Sequence, residues 1–118
     1  MHVATTIAQA RALFEVLPRP LGFVPTMGAL HEGHMELVRR ARLDCVAVAA
    51  SVFVNPLQFG VNEDLERYPR DFGADRERLA AAGVDVVFAP DADAMYPPNF
   101  STRIDPGNLA RVFEGAAR

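Results

Sequence analysis

Two histidines three positions apart, His31 and His34, are the residues best placed to do chemistry in this sequence. They follow an apolar run at 21–24 and a glycine-containing segment, and they precede an amphipathic stretch, a pattern that predicts a strand, a turn and a helix N-terminus. The first N–H groups of a helix lack partners within it, and the helix dipole adds positive potential there. We therefore predict an anion site at which two imidazoles donate hydrogen bonds to a reacting phosphate.

Two glycines of the same segment, Gly28 and Gly33, are expected to let the backbone approach a phosphate where a Cβ would collide with it. A zinc site is disfavoured, because the metalloprotease signature H-E-x-x-H places its histidines four positions apart on a helix. A purely structural pair of histidines is the alternative that spacing and context leave open.

Four blocks of residues stand out along the chain: P-T-M-G-A-L-H-E-G-H at 25–34, S-V-F-V-N-P-L-Q-F at 51–59, Y-P-R at 68–70 and M-Y-P at 95–97. The first contains the H-x-G-H signature of the nucleotidyltransferase superfamily. In order and spacing, the four blocks together resemble the pantothenate synthetase (pantoate–β-alanine ligase) family over essentially the whole chain.

The resemblance implies an ATP-dependent condensation of pantoate with β-alanine to pantothenate. ATP and pantoate would first form a pantoyl adenylate and pyrophosphate, and the amine of β-alanine would then displace AMP. Mg²⁺ accompanies the triphosphate in this family. His31 and His34 match the histidines that line the phosphates, where they would stabilise charge that builds up on phosphorus and on the leaving pyrophosphate.

The same resemblance assigns binding roles to further residues. It implies a nucleotide site formed by Pro25, Thr26, Met27, Gly28, Gly33 and His34, and pantoate contacts from Met27, Asn55 and Gln58. Two alternatives stay open: Asn55 before a proline is also typical of a turn that ends a strand, and Gln58 between apolar residues is also compatible with a buried structural amide.

Asp75 falls between Phe72 and Leu79 on the predicted inward stripe of a helix, where an unpaired carboxylate is costly. It matches a family carboxylate near the metal site, so we predict it as a metal ligand. A salt bridge to a nearby arginine explains its position equally well.

The elements that must position these residues alternate along the chain. The pattern predicts helices at 6–17, 34–43 and 71–83, with Leu37 and Phe72 facing inward, and a last helix that begins at Pro106. Buried strands are predicted at 21–25, 46–54 and 84–88. This order is typical of an α/β, Rossmann-like, doubly wound parallel sheet, in which ligands bind beyond the carboxyl ends of the strands.

Composition limits the class of protein. The 118 residues fit one domain, half of them are hydrophobic, and the net charge is −3. That charge argues against a nucleic-acid partner. A single cysteine, Cys45, fits the cytoplasm, and no apolar segment of membrane length is present. All twelve basic residues are arginines, so a lysine that contacts the triphosphate must lie outside this chain.

Family members are more than twice as long and carry a second, smaller domain. We therefore expect residues 1–118 to be a partial N-terminal nucleotide- and pantoate-binding domain, with a sheet incomplete at its C-terminal side and the strand at 21–25 on its edge. The C-terminal domain would be absent, and a homodimer is expected. The alternatives are another H-x-G-H nucleotidyltransferase, such as a cytidylyltransferase, or a non-catalytic binding or assembly module.

Overall fold

A computed structural model describes residues 1–59 and 70–102. The elements run β1 His2–Ala4, α1 Ile7–Val16, β2 Leu21–Thr26, α2 Glu32–Asp44, β3 Ala47–Val52, a short 3₁₀ turn Pro56–Gln58, α3 Phe72–Ala81, β4 Val86–Phe88 and α4 Ala92–Met95. The predicted alternation of strands and helices is confirmed. The predicted last helix at Pro106 lies outside the described residues.

The four strands form one parallel sheet in the order β1-β4-β3-β2. Strand β2 pairs with β3 along its whole length, from Leu21 opposite Ala47 to Thr26 opposite Val52. It lies at one edge of the described sheet, as expected. Because all strands run the same way, the segments that follow β2, β3 and β4 emerge at one side of the sheet, and two of these segments carry the best-matched blocks.

Helices α2 and α3 cover one face of this sheet and form its main core. That core contains Val24, Leu30, Met35, Val38, Val48, Ala50, Leu79, Val84 and Val87. The central strand β3 is buried on both faces, with Ala47 to Ala50 at most 1% exposed, so its nearly continuous apolar run is explained. The packing fixes the ends of α2 and α3 relative to the carboxyl ends of β2 and β3.

Local capping signals read from the sequence are confirmed at two helices. Thr6 accepts a hydrogen bond from the N–H of Gln9 at the start of α1, and Asp71 accepts one from Ala74 at the start of α3. The Gln9 side chain reaches back to the N–H of Thr5 rather than to that of Thr6. Gly83 ends α3 with a φ of +88°, a conformation that favours glycine.

Three details of the predicted elements are wrong. Strand β1 is missing from the prediction, because three residues are too few for hydrophobic periodicity to be visible. Helix α2 begins at Glu32, before the predicted start at position 34, because His31 caps it. Leu37 is 55% and Phe72 36% exposed; Met35 and Val38 fill the inward face of α2 instead.

Candidate active site

The turn after β2 has a left-handed backbone at two successive residues, Gly28 with φ +80° and Ala29 with φ +52°. An alanine in this region costs about 1–2 kcal/mol, so other contacts must hold it. One of them comes from Thr26, whose hydroxyl accepts a hydrogen bond from Gly28 N at 3.1 Å and donates one to Ser51 O at 2.9 Å. In this turn the N–H groups of Ala29 and Leu30 converge on the same point.

Asp75, from α3, lies at that point. Its Oδ2 accepts from Ala29 N at 3.0 Å and its Oδ1 from Leu30 N at 2.9 Å, and the residue is only 5% exposed. One turn further along the helix, Arg78 donates to Leu30 O at 2.6 Å. Within the described residues, the buried carboxylate is therefore balanced by backbone N–H groups, and the salt bridge to an arginine that the sequence left as an alternative is not among its contacts.

The two histidines form a reciprocal cap at the start of α2. His31 Nδ1 accepts from Gly33 N at 3.0 Å, and His34 Nδ1 accepts from His31 N at 3.2 Å. The ring centroids are 4.1 Å apart. This is a capping box in which imidazoles take the places of the usual Ser/Thr and Glu/Gln side chains. The structural role that the sequence left open is therefore present.

The cap also determines which nitrogen of each ring carries the proton. A nitrogen that accepts from an N–H group cannot itself be protonated, so each neutral imidazole holds its proton on Nε2. Both Nε2–H groups are then donors that the cap does not use. The structural role of the Nδ1 atoms thus leaves the opposite side of each ring suited to an anionic ligand.

The pKa of His34 is lowered, first because burial disfavours the charged ring and second because His31 lies beside it; the carboxylate of Asp75 opposes both effects. A depressed pKa means that the folded state binds fewer protons than the unfolded state below about pH 6.5. The stability that His34 contributes is then present above that pH and is lost as the pH falls through its folded pKa.

We expect the NMR titration of the His34 ring in the full-length gene product to have its midpoint below pH 6.5. The cause is the combination of burial and the neighbouring imidazole. His34→Gln keeps an acceptor at the same position but cannot be protonated in this pH range. The part of the acid destabilisation that comes from protonation of His34 should therefore be missing when this variant is studied by thermal unfolding. A midpoint at or above 6.5 would mean that the ring does not hold the capping geometry.

Five backbone N–H groups of the turn and of the start of α2 already have partners within the protein. The N–H groups of Gly28, Ala29, Leu30, His31 and Gly33 all donate to side chains within the protein. At this end of α2, the Nε2–H groups of the two imidazoles are donors that the cap leaves unused. No local pattern indicates this arrangement, because the acceptor for two of the amides is 45 and 46 residues away.

Contacts within the protein explain why both positions, 28 and 33, are occupied by glycine. A Cβ on Gly33 would lie 2.8 Å from Cε1 and 3.0 Å from Nδ1 of His31, so the glycine makes room for the capping ring. A Cβ on Gly28 would lie 3.1 Å from Asp75 Oδ2, in addition to the strain at its positive φ. The close approach of a phosphate to either glycine stays a prediction.

A cavity of about 510 Å³ lies beside the cap, at the carboxyl ends of β2 and β3. It is lined by Pro25, Thr26, Met27, His34, Ser51, Phe53, Asn55 and Gln58, and it thus gathers six of the predicted site residues. A second cavity of about 460 Å³ shares Met27 and Phe53 with it and reaches Gly28 and Asp75. In the part of the chain that the structure describes, neither of these two linings includes His31 or Gly33.

Asn55 has its orientation fixed by two donors. Its Oδ1 accepts from Leu57 N at 3.0 Å and from the Tyr96 hydroxyl at 2.9 Å. The carbonyl side of the amide is thereby saturated, and contact with a ligand would be made by its NH₂ group. The turn-ending role of Asn55 is therefore confirmed, and it leaves the predicted ligand contact possible.

Tyr96 is a residue to which sequence reasoning assigned no role. It packs between Phe53 and Phe100, with ring centroids 6.1 and 4.8 Å away, and it reaches Asn55 from 41 residues along the chain. The sequence feature that points to Tyr96 is its position in the M-Y-P block.

Gln58 ends the 3₁₀ turn and is exposed. The alternative of a buried structural amide is therefore wrong. Its presence in the lining of the larger cavity keeps the predicted contact with pantoate as a hypothesis.

No three His, Cys, Asp or Glu side chains converge on a possible metal position among residues 1–59 and 70–102. Asp75 uses both oxygens on backbone N–H groups. The described residues thus do not fit a metal held by the protein. Across the same part of the chain, no helix combines the length and apolar character needed to cross a membrane.

Comparison with known proteins gives one family. A family profile described as pantoate–β-alanine ligase matches residues 2–118. The pantothenate synthetase of Chloroflexus aurantiacus (strain J-10-fl) is 55% identical over 118 residues, which are 100% of this chain and 41% of that protein.

Two solved structures have the same fold. The crystal structure of pantothenate synthetase from Thermus thermophilus matches with a TM-score of 0.90 at 54% identity, over 100% of this chain and 42% of that one. The pantoate–β-alanine ligase of Francisella tularensis, solved in complex with β-γ ATP and β-alanine, matches with a TM-score of 0.91 at 39% identity, over 100% and 46%.

This chain therefore spans somewhat less than half of these relatives. The similarity extends over its whole length in both sequence and fold. The chain belongs to the pantoate–β-alanine ligase family.

Proposed function

We propose that the site takes part in the ATP-dependent condensation of pantoate with β-alanine through a pantoyl adenylate. The observation that carries the proposal is the paired imidazole cap, which leaves both Nε2–H groups unused by the cap and places His34 in the lining of a cavity together with Asn55 and Gln58. The volume of this cavity lies within the range found for small-molecule binding sites. A relative with the same fold was solved with β-γ ATP and β-alanine.

In the first step a carboxylate oxygen of pantoate attacks the α-phosphorus of ATP. The new O–P bond forms as the bond to pyrophosphate breaks, and negative charge grows on the oxygens of both groups. His31 and His34 donate hydrogen bonds from Nε2 to these oxygens and stabilise the transition state more than the ground state.

In the second step the amine of β-alanine attacks the acyl carbon of the adenylate and AMP leaves, which gives the amide. Asn55 and Gln58 orient pantoate by hydrogen bonds and keep its carboxylate in line with the α-phosphorus. Met27 and the segment 25–28 form the wall between the pantoate and nucleotide positions, and both cavities reach Met27.

Three further assignments follow from the family resemblance. Mg²⁺ would arrive on the triphosphate rather than on protein ligands, since the described side chains offer it no cluster. The working protein would be a homodimer. A single cysteine in the chain agrees with a place in the cytoplasm.

The test is pyrophosphate release by the full-length gene product with ATP and pantoate, before any β-alanine is added. We expect release that depends on pantoate and one equivalent of pantoyl adenylate per site. Release that requires CTP or a different acid would favour another nucleotidyltransferase. Binding of ATP or pantoate without any release would favour a non-catalytic module.

Gln58→Ala should weaken the use of pantoate and leave the KM for ATP largely unchanged. Gln58 follows β3, whereas the histidine cap follows β2. Loss of one hydrogen-bonded amide from a closed site costs on the order of 1–3 kcal/mol, or roughly 5- to 150-fold in kcat/KM for pantoate. Steady-state kinetics with each substrate varied in turn would measure both effects. Equal weakening for both substrates would show that Gln58 supports the fold instead.

A further inference from the structure

The anion nest of the turn is already filled by a carboxylate of the protein itself. The chain turns at the positive-φ residues Gly28 and Ala29, and the N–H groups of Ala29 and Leu30 converge on one point; converging N–H groups in a turn form a concavity that can bind an anion. Here that point is occupied by Asp75, which is nine-tenths buried and accepts both bonds at 3.0 Å or less.

We propose that Asp75 is a positioning residue, which acts together with Arg78 to hold the strained turn so that His31 and His34 point their Nε2–H groups at the reacting phosphate. The inference rests on the proposed function. It assigns Asp75 a contact with the backbone in place of the metal contact that the family resemblance implies.

The contacts form a short path from α3 to the cap. Asp75 and Arg78 lie one helical turn apart, and together they bind both the N–H and the C=O of Leu30. Leu30 is buried and directly precedes the capping residue His31. Because α3 holds both the N–H and the C=O of Leu30, it also fixes the direction in which the chain enters α2.

Chemistry favours this role over metal binding. Each carboxylate oxygen of Asp75 is already bound to an N–H group, and among the described residues no further ligands converge on it. The carboxylate also prevents a substrate phosphate from occupying the nest. The phosphate must then meet the imidazoles, where the transition state gains most from the donors.

The first experiment measures the contact itself. In the full-length gene product, the assigned amide protons of Ala29 and Leu30 should resonate downfield, because each donates to a charged oxygen. Asp75→Asn replaces one acceptor oxygen by an NH₂ group, so at least one of the two amide signals should move upfield. Glu77→Gln removes the same charge from an exposed position of the same helix and should move neither. Unchanged signals in Asp75→Asn would overturn the proposal.

The second experiment separates positioning from general stability. Asp75→Asn should lower kcat for pyrophosphate release by roughly 10- to 100-fold, the scale of a misplaced catalytic group. In a background that already carries His31→Asn and His34→Gln, the same substitution should cost less than about 3-fold, because residues that act as a unit are not additive. If Asp75→Asn lowered kcat by the same 10- to 100-fold in that background, Asp75 would not act through the histidines.

The two experiments also separate this inference from the proposed function. If the wild-type protein released no pyrophosphate with ATP and pantoate, the proposed function would fail. The amide signals would still decide whether Asp75 holds the turn, and unchanged signals would overturn the inference whatever the activity.

Discussion

His31→Asn and His34→Gln should each lower the rate of pyrophosphate release by about 10²–10³, the typical cost of removing one preorganised donor to a developing anion. These substitutions are chosen because asparagine is among the best N-caps and glutamine is the usual partner in a capping box. Each keeps an acceptor where Nδ1 now accepts a backbone N–H. Each removes the Nε2–H group.

The matched controls are His31→Ala and His34→Ala, which remove the cap as well as the donor. Loss of a capping side chain costs about 0.5–2 kcal/mol, so the alanine variants should be less stable than the cap-preserving ones. Rates from pyrophosphate release and free energies of unfolding from denaturant titration would be compared for all four. Near-wild-type rates in both cap-preserving variants would mean that the imidazoles serve the helix alone.

Gly33→Ala should lower the same rate by on the order of 10²-fold, the scale of a displacement of about 1 Å at a catalytic group. The new methyl group would lie 2.8 Å from Cε1 of His31. The ring must therefore rotate, which breaks its bond to Gly33 N and redirects Nε2. Stability should change little, because alanine favours the helix by about 0.5–1 kcal/mol and partly offsets the lost cap.

Gly73→Ala is a close control, since Gly73 occupies the same position in α3 that Gly33 occupies in α2, the second residue after the cap. A Cβ there would find its nearest atom at 3.5 Å, an ordinary contact. We expect unchanged or slightly higher stability and an unchanged rate. A rate in Gly33→Ala equal to that in Gly73→Ala would contradict the assigned role of the glycine.

Much of this architecture follows from local signals in the sequence. The apolar run at 47–50, the caps at Thr6 and Asp71, and the stop at Gly83 each act within a few residues. Such features are visible to periodicity and capping rules. These features are enough to predict the parallel α/β fold and the edge of the sheet at which the site lies.

The site itself depends on contacts that no local pattern contains. The capping role of His31 requires an imidazole to replace a hydroxyl, and the anchoring of the turn by Asp75 joins residues 45 and 46 positions apart. Tyr96 reaches Asn55 across 41 positions. Sequence reasoning places Asp75 correctly on the buried face of α3 but does not identify its backbone N–H partners, because burial alone does not say whether a carboxylate meets a cation or an amide.

The most direct test of the adenylation chemistry is the fate of the pantoate carboxylate oxygen. Pantoate labelled with heavy oxygen in its carboxylate would be incubated with ATP, β-alanine and the full-length gene product, and the nucleotide products analysed by mass spectrometry. Attack on the α-phosphorus, with the imidazoles on the phosphate oxygens, predicts that one labelled oxygen appears in AMP and none in pyrophosphate. Labelled inorganic phosphate together with ADP would show attack on the γ-phosphorus and would contradict the chemistry that we assign to this site.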